Sequence, residues 1–193
     1  LTTLQSILQN QIEKFGSNIF KDGSVVIPGN IVYDGQFYAV KLNPSNYGID
    51  ITTYINNLIG KKIVGQTSGV SATVQYVILP EDNTNVEYTT IYVKYSESDN
   101  NFKISTFSNG ELLSCTENIV YGSTTIASGT PFASLISDNA NAIGSSASIG
   151  DGIYFIRGFF ARVEKQTIIL DEYTNTPSYR IGLRVYESIT TAK

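Results

Sequence analysis

The sequence lacks the residues on which most catalytic and metal sites depend. It has no histidine, no methionine and no tryptophan, and its one cysteine is Cys115. Without histidine the commonest general base is missing, and so are the Ser-His-acid and Cys-His arrangements. A single cysteine forms neither an internal disulfide nor the thiolate cluster of a structural zinc site. We therefore predict no metal and no cofactor, and we interpret Cys115 as a small, buried and inert thiol.

Charge is also scarce. Charged residues make up 16% of the 193 residues, and the formal net charge is −4. The one adjacent basic pair is Lys61-Lys62, whereas binding to nucleic acid needs clustered Lys and Arg. No run approaches the roughly 18 apolar residues of a membrane-spanning helix, and no signal segment leads the chain. We therefore predict that the protein binds neither nucleic acid nor membrane. Because the chain has no methionine and begins at Leu1, we also expect a piece of a longer chain or a processed product.

Carboxylates are the remaining candidates for catalysis, because glycosidases need only two of them. The candidates are Glu81-Asp82, Asp151, Glu164 and Asp171-Glu172. Each lies in or beside a predicted turn or an exposed strand face, where acidic side chains are normally solvated. The sequence therefore predicts a protein that is not an enzyme.

Aromatic residues cluster towards the end of the chain, at Tyr154, Phe155, Phe159 and Phe160. Such side chains can form a stacking platform for sugars. At strand spacing, however, aromatic residues more often form core and cross-strand pairs. A sugar-binding interpretation therefore stays open beside the core interpretation.

The first residues predict an amphipathic helix over residues 1–17. Apolar residues recur there at near-helical spacing, and Gly16 stands where a C′ glycine would end the helix. The apolar positions are Leu1, Leu4, Leu8, Ile12 and Phe15. On a heptad all of them except Ile12 take a or d positions. Gln11 takes the remaining d site, where a polar residue can set the register of an oligomer.

A helix of about 16 residues is marginal alone in water, so its apolar residues must pack on something. Two partners are open, namely the chain's own β domain and a neighbouring chain. We predict an inter-subunit contact, in a homo-oligomer or against another protein. The residues predicted to form it are Leu1, Leu4, Leu8, Gln11 and Phe15.

The rest of the chain predicts a mainly β fold, because its many Tyr, Val, Ile and Thr residues favour a pleated, half-buried surface. Asp34-Gly35 separates two apolar runs, Ile31–Tyr33 and Phe37–Val40, and predicts a tight hairpin turn. The stretch that follows Asp50 predicts a short helix with Asp50 as its N-cap and Gly60 as its end. The buried face of this short helix would consist of Ile51, Ile55, Leu58 and Ile59.

The later segments differ in how clearly they predict strands. Strands such as Lys62–Gln66 and Val70–Leu79, with turns every 8–12 residues, predict a small barrel or sandwich. The stretch Val120–Gly150 is rich in Gly, Ser, Ala and Asn and has no clear period, which predicts a long excursion or linker. The C-terminal strand candidates are Ile153–Arg157, Phe159–Val163, Thr167–Leu170 and Tyr179–Glu187, with Gly158 as a bulge or bend.

This pattern predicts three parts. The N-terminal amphipathic helix, 1–17, is followed by a discontinuous antiparallel β domain, 18–49 and 147–193. Residues 50–146 would form an inserted β-rich subdomain, a small β-barrel or sandwich. The reason for the division is that the strands near both ends share an aromatic, alternating character, so we expect them to build one sheet.

Three stretches carry a family resemblance: "LTTLQSILQNQIEKFGSNIFKDGS" at the start, "GQTSGVSATV" in the middle and "DGIYFIRGFFARVEKQTIILDEYTNTPSYRIGLRVYE" near the end. On these residues the chain resembles a family of large virion structural proteins in T-even-like cyanophages and related marine contractile-tailed phages. The likeness is most specific over the first and last stretches. The family is defined by sequence more than by activity, and it supplies no catalytic residues.

The resemblance implies a non-enzymatic structural or assembly module in the phage tail or baseplate, in the wedge or fibre-attachment region. Its partners would be other tail or baseplate proteins and further copies of itself. Its location would be the virion, after synthesis in the host cytoplasm. The alternative is a carbohydrate-binding or carbohydrate-cleaving module for host recognition. An exposed aromatic cluster beside a carboxylate pair in a groove would favour that alternative.

Overall fold

The protein is mainly antiparallel β with one long helix at its N-terminal end, which confirms the predicted fold class. The computed structural model describes residues 2–83, 85–96 and 106–186. Strands account for 45% and helices for 14% of the described residues. The helix α1 spans Thr2–Ile19, and two short 3-10 helices span Ile51–Thr53 and Ile55–Leu58. The strands are β1 (Ser24–Ile27), β2 (Ile31–Lys41), β3 (Ser45–Asn46), β4 (Ile49–Asp50), β5 (Lys62–Gly65), β6 (Ser71–Ile78), β7 (Thr90–Tyr95), β8 (Leu112–Cys115), β9 (Ile119–Tyr121), β10 (Thr124–Ile126), β11 (Pro131–Ser134), β12 (Asn141–Ile149), β13 (Gly152–Ile156), β14 (Phe159–Val163) and β15 (Gln166–Asp171).

Within the described residues, eight strands form one sheet in the order β11-β8-β5-β6-β7-β2-β12-β15. A second sheet has three strands, with β13 between β1 and β14. Two small pairs, β9 with β10 and β3 with β4, complete the arrangement. The pairings found in this part of the chain are all antiparallel. Strands from both ends of the chain therefore meet in two different sheets.

Two clusters of buried apolar side chains form the core. The largest fully buried members of the first cluster are Tyr54, Phe132, Leu42, Ile51, Ile55, Leu58, Ile63, Ile91, Leu113, Ile119 and Leu135. The second cluster consists of Phe37, Ala39, Ile78, Val86 and Tyr92. In the second cluster the rings of Phe37 and Tyr92 stack with their centroids 4.8 Å apart. In the first, the Tyr54 hydroxyl donates to the carbonyl of Phe132, and burial raises the pKa of Tyr54 to about 12.

The predicted hairpin at Asp34-Gly35 is wrong. β2 runs through both residues as one strand, and the parts before and after them both pair with β12. The register shifts between Asp34 and Phe37, where β2 has one residue more than β12, so the pair forms a β-bulge. Neither Asp34 nor Gly35 has the positive φ that a primed turn requires. The long partner strand β12 therefore keeps this segment extended against its local turn preference.

The prediction for residues 50–60 is confirmed at both ends. The Asp50 carboxylate accepts the backbone N–H of Thr52 at 2.9 Å, and Gly60 has a φ of 83°. Of the four residues predicted for the buried face, Ile51, Ile55 and Leu58 are buried, but Ile59 is 51% exposed, so its place on that face is wrong. Between the ends, two 3-10 helices replace the predicted α-helix. With three residues per turn they do not carry the 3.6-residue stripe that the sequence pattern assumed.

The prediction of a linker over Val120–Gly150 is also wrong. The segment begins within β9 and contains β10, β11 and β12, and β12 lies between β2 and β15 in the large sheet. β12 has small residues because the backbone at Asp171 and Glu172 packs close against it. These small residues remove the apolar alternation by which a strand is predicted from sequence. A Cβ added at Gly144 would lie 2.6 Å from the carbonyl oxygen of Glu172 and 2.9 Å from that of Asp171. The two serines that follow Gly144 are buried.

Three of the four predicted C-terminal strands are present, as β13, β14 and β15. The fourth is not, because residues 179–186 have no strand pairing, and residue 187 lies outside the described residues. The predicted bend at Gly158 is confirmed as the two-residue turn between β13 and β14. Arg157 and Gly158 have φ values of 47° and 88°, as a type I′ turn requires.

The large sheet crosses the predicted boundaries of the inserted subdomain. β2 belongs to the predicted outer domain and pairs on one side with β7, which lies within the predicted insertion. On its other side β2 pairs with β12, most of which also precedes the predicted boundary at residue 146. Strand pairing describes contacts and not independent folding, so the division into domains stays a prediction.

We expect Gly144→Ala to lower the free energy of unfolding by about 2 kcal/mol, because the new methyl group would meet two backbone carbonyls that cannot rotate away. Gly182→Ala is the matched control, since no heavy atom lies within 4 Å of a Cβ at that position. The control should change stability by less than about 0.5 kcal/mol. Urea unfolding of the two variants measures both values, and equal stability of the two would contradict the close approach at Gly144.

Candidate intermolecular interface

One face of α1 is held against the three-stranded sheet by a close contact at Gly16. Gly16 is buried, and any Cβ there would overlap the ring of Phe155 in β13. Phe20, just after the helix, packs with its ring centroid 5.7 Å from each of Phe155 and Phe160. The prediction that Gly16 ends the helix is therefore wrong, because α1 continues to Ile19. Gly16 is needed for helix–sheet contact and not for a left-handed cap.

A second face of α1 carries large apolar side chains that are exposed. These residues, which we call the apolar stripe, are Leu4, Ile7, Leu8, Ile12, Phe15 and Ile19. Each of them is between 46% and 65% exposed. Successive helix residues are rotated by about 100°, so Leu4, Leu8 and Phe15 lie roughly a third of a turn away from Gly16. The contact with the sheet at Gly16 therefore leaves the apolar stripe uncovered by the described residues.

Most residues of the predicted inter-subunit contact lie on this stripe. Leu4, Leu8 and Phe15 belong to it, and Gln11 is exposed among them. Leu1 lies outside the described residues. The structure brings the predicted residues together on one helix face, and their role in a contact stays a prediction.

Three members of the stripe lie outside the heptad a and d positions from which the contact was predicted. Ile7 takes a g position, and Ile12 and Ile19 take e positions. An a/d template describes the narrow seam of a coiled coil, whereas a stripe wider than about 100° needs flanking positions as well. Counting apolar residues at e and g would have found all three from the sequence.

Phe159 extends the exposed apolar surface beyond the helix. It lies at the start of β14, is 50% exposed, and lines a groove together with Leu8 and Ile12. On its other side it lines a second groove with Val185 and Tyr186. No sequence spacing pointed to this grouping, because the residues come from three separate segments.

The aromatic residues considered as a sugar platform do not form one open surface. Phe155 is buried, and its ring centroid lies 5.3 Å from that of Phe160. Both rings pack with Phe20, so they support the helix. Tyr154, on the other face of β13, is partly exposed.

The acidic residues considered for catalysis lie in turns and connections, except Asp171, which is the last residue of β15. The carboxylate of Asp151 accepts the backbone N–H of Lys165 at 3.2 Å. Asp171 accepts a tyrosine hydroxyl from the C-terminal segment, and Glu172 accepts an asparagine side-chain amide. The exposed members of the set are Glu81, Asp82, Asp151 and Glu164. These hydrogen bonds order the connections between strands.

A buried carboxylate that the sequence did not single out is Glu111. It is 4% exposed and accepts hydrogen bonds from the backbone N–H groups of Thr67, Ser68 and Ser108, and from the Ser68 hydroxyl. All of these donors lie in two neighbouring turns. Glu111 thus replaces water for backbone groups that would otherwise be unpaired. The two turns are brought together by the tertiary structure, so no spacing along the chain indicated that Glu111 would bind them.

No group of three or more His, Cys, Asp or Glu residues able to hold a metal ion occurs in the part of the chain that the structure describes. Across those same residues, no helix has both the length and the apolar character that crossing a membrane requires. Comparison with protein-family models, with curated proteins and with solved structures finds no match to this chain.

We expect the Cys115 thiol to react slowly in the folded protein. Cys115 is 2% exposed, and desolvation by burial raises the pKa of its thiol, so both access and the reactive thiolate are suppressed. Labelling with a disulfide reagent at neutral pH should be at least about a hundredfold slower in buffer than in denaturing urea. Equal rates in the two conditions would show that the thiol is accessible in the fold.

Proposed function

We propose that this chain is a non-enzymatic structural module of a bacteriophage virion, in the tail or baseplate, and that it acts through contacts with neighbouring subunits. The phage assignment rests on the resemblance of the first and last stretches of the sequence. The observation that supports an assembly role is the apolar stripe of α1, whose six large side chains are each about half exposed.

The size of the stripe supports a contact with another macromolecule. A large apolar side chain has on the order of 200 Å² of surface, so six half-exposed ones present roughly 600 Å². The largest apolar patch of a typical monomer covers about 300–600 Å² and is often functional. The stripe reaches the upper end of that range before Phe159 is counted.

The way the helix is held supports the same proposal. The contact of Gly16 with Phe155, together with the packing of Phe20, fixes one face of α1 on the three-stranded sheet. The stripe is therefore presented at a set orientation on an ordered support. Such preorganisation lowers the entropy cost of binding, because little has to be ordered when a partner docks.

The residues present support the non-enzymatic part of the proposal. The chain has no histidine. The acidic residues considered for catalysis either bind groups of their own chain or lie exposed at turns. Contacts with neighbouring subunits need none of these side chains to be activated.

The location in the virion can be tested directly. Antibodies raised against the purified chain, coupled to gold, should label the tail or baseplate of intact phage particles in electron micrographs. Particles treated with antibodies to a host cytoplasmic protein serve as the control. Label confined to the lysate and absent from particles would contradict a structural role in the virion.

The role of the stripe can be tested with Leu4→Asp/Leu8→Asp. Two charges in an apolar contact are costly to bury, so association measured by light scattering should be lost, while the β signal in circular dichroism stays unchanged. Thr3→Asp/Ser17→Asp is the matched control, because it adds the same charge to the same helix at exposed positions off the stripe and outside the groove that Phe159 lines.

Two results would contradict the role of the stripe. If the Leu4/Leu8 variant loses its β signal, the stripe belongs to the core of its own chain. If that variant and its Thr3/Ser17 control associate equally, the contact lies elsewhere on the molecule.

A further inference from the structure

We infer that the partner of the apolar stripe is a second copy of this chain, with Gln11 of one copy meeting Gln11 of the other. This inference rests on the proposed assembly function and names the partner that the function leaves open. Three observations carry it: the area of the exposed apolar surface, the central position of Gln11, and the location of the charged residues of α1.

The exposed apolar surface is large enough for a stable contact between two copies. A standard interface covers about 800 Å² on each partner. The stripe alone presents roughly 600 Å², counting on the order of 200 Å² for a whole side chain. Phe159, Val185 and Tyr186 are continuous with it through two grooves and raise the total to roughly 1,000 Å² by the same reckoning. The contact should therefore include the β14 turn and the C-terminal segment as well as the helix.

Gln11 lies at the middle of a stripe that begins at Leu4 and ends at Ile19. When two identical helices pack about a two-fold axis, the central residue of one meets the same residue of the other. This holds for parallel helices in register and for antiparallel helices that cross at their centres. A contact of this kind is isologous, as in most homodimers.

The chemistry of Gln11 suits contact with itself. Its amide has both a donor and an acceptor group, so two copies can satisfy each other across the axis. A different apolar surface would leave the amide buried without a partner, which is costly. One polar residue in an apolar seam also sets the register of two helices, at some loss of stability.

Charges do not oppose self-association through this face. The charged residues within α1 are Glu13 and Lys14. The Glu13 side chain lies against Gly158 of the chain's own β13–β14 turn, where an added Cβ would be 2.9 Å from its Cδ. Lys14 takes a g position at the edge of the stripe. Like charges are therefore absent from the a and d positions at the centre of the contact, and Lys14 lies at its edge, where a flexible side chain keeps its ammonium group in water.

Charge-swap variants at Gln11 test the inference. Wild-type protein alone should form an oligomer in light scattering. Gln11→Glu and Gln11→Lys should each weaken association roughly a hundredfold, because like charges would face each other across the axis. An equal mixture of the two variants should associate again, because opposite charges would then meet. Ser17→Glu and Ser17→Lys, on an exposed helix position that is off the stripe and lines neither groove, should associate like the wild type both alone and mixed.

The outcomes separate this inference from the proposed function. A wild-type chain that stays monomeric at the highest attainable concentration overturns the second-copy partner, while gold labelling of the tail would still support the virion role. Gln11 variants that associate like the wild type, when Leu4→Asp/Leu8→Asp does not, overturn the contact at Gln11 and leave the stripe as an interface. If the two charged variants dissociate and their mixture does not recover, Gln11 does not meet itself.

Discussion

The pairing of β2 with β12 is the contact on which the large sheet depends. β2 has eleven residues and β12 has nine, and they are hydrogen-bonded on both sides of a bulge. β7 continues the sheet from β2, and β15 continues it from β12. Removing this pair would divide the sheet in two. The small residues of β12 allow the backbone at the end of β15 to pass close to Gly144. The same strand therefore pairs within the sheet and packs against the connection that follows β15.

A second close approach decides which face of the helix is available to a partner. Gly16 lets α1 contact the ring of Phe155 directly, and the rings of Phe20 and Phe160 complete that contact. The contact uses a glycine and aromatic residues at one side of the helix. The leucines and isoleucines of the stripe take no part in this contact and stay exposed, which is unfavourable in water. This difference between the two helix faces supports the assembly role that we propose.

Polar side chains serve mainly to order connections. Glu111 gathers backbone N–H groups from two turns, and Asp50 caps a 3-10 helix. Buried tyrosines do the same from within the core, as when Tyr54 donates to the carbonyl of Phe132. Each group satisfies a backbone atom that the short strands leave unpaired. A chain rich in short strands has many such connections, which explains why carboxylates such as Glu111 and Asp50 bind backbone groups.

The sequence alone determined the β-rich class, the N-terminal helix and its apolar stripe, because these follow from composition and from periods of two and 3.6 residues. It also indicated the turn at Gly158 and the cap at Asp50, which depend on local backbone preferences. The tertiary structure alone decided that Asp34-Gly35 is a bulge, since a long partner strand outweighs the preference of two residues for a turn. It likewise decided that Val120–Gly150 contains a central strand, because close backbone approach selects small residues and removes the apolar period. Which side of the helix meets the sheet was decided by the fit of Gly16 to Phe155, a contact between residues far apart in the chain that no local pattern records.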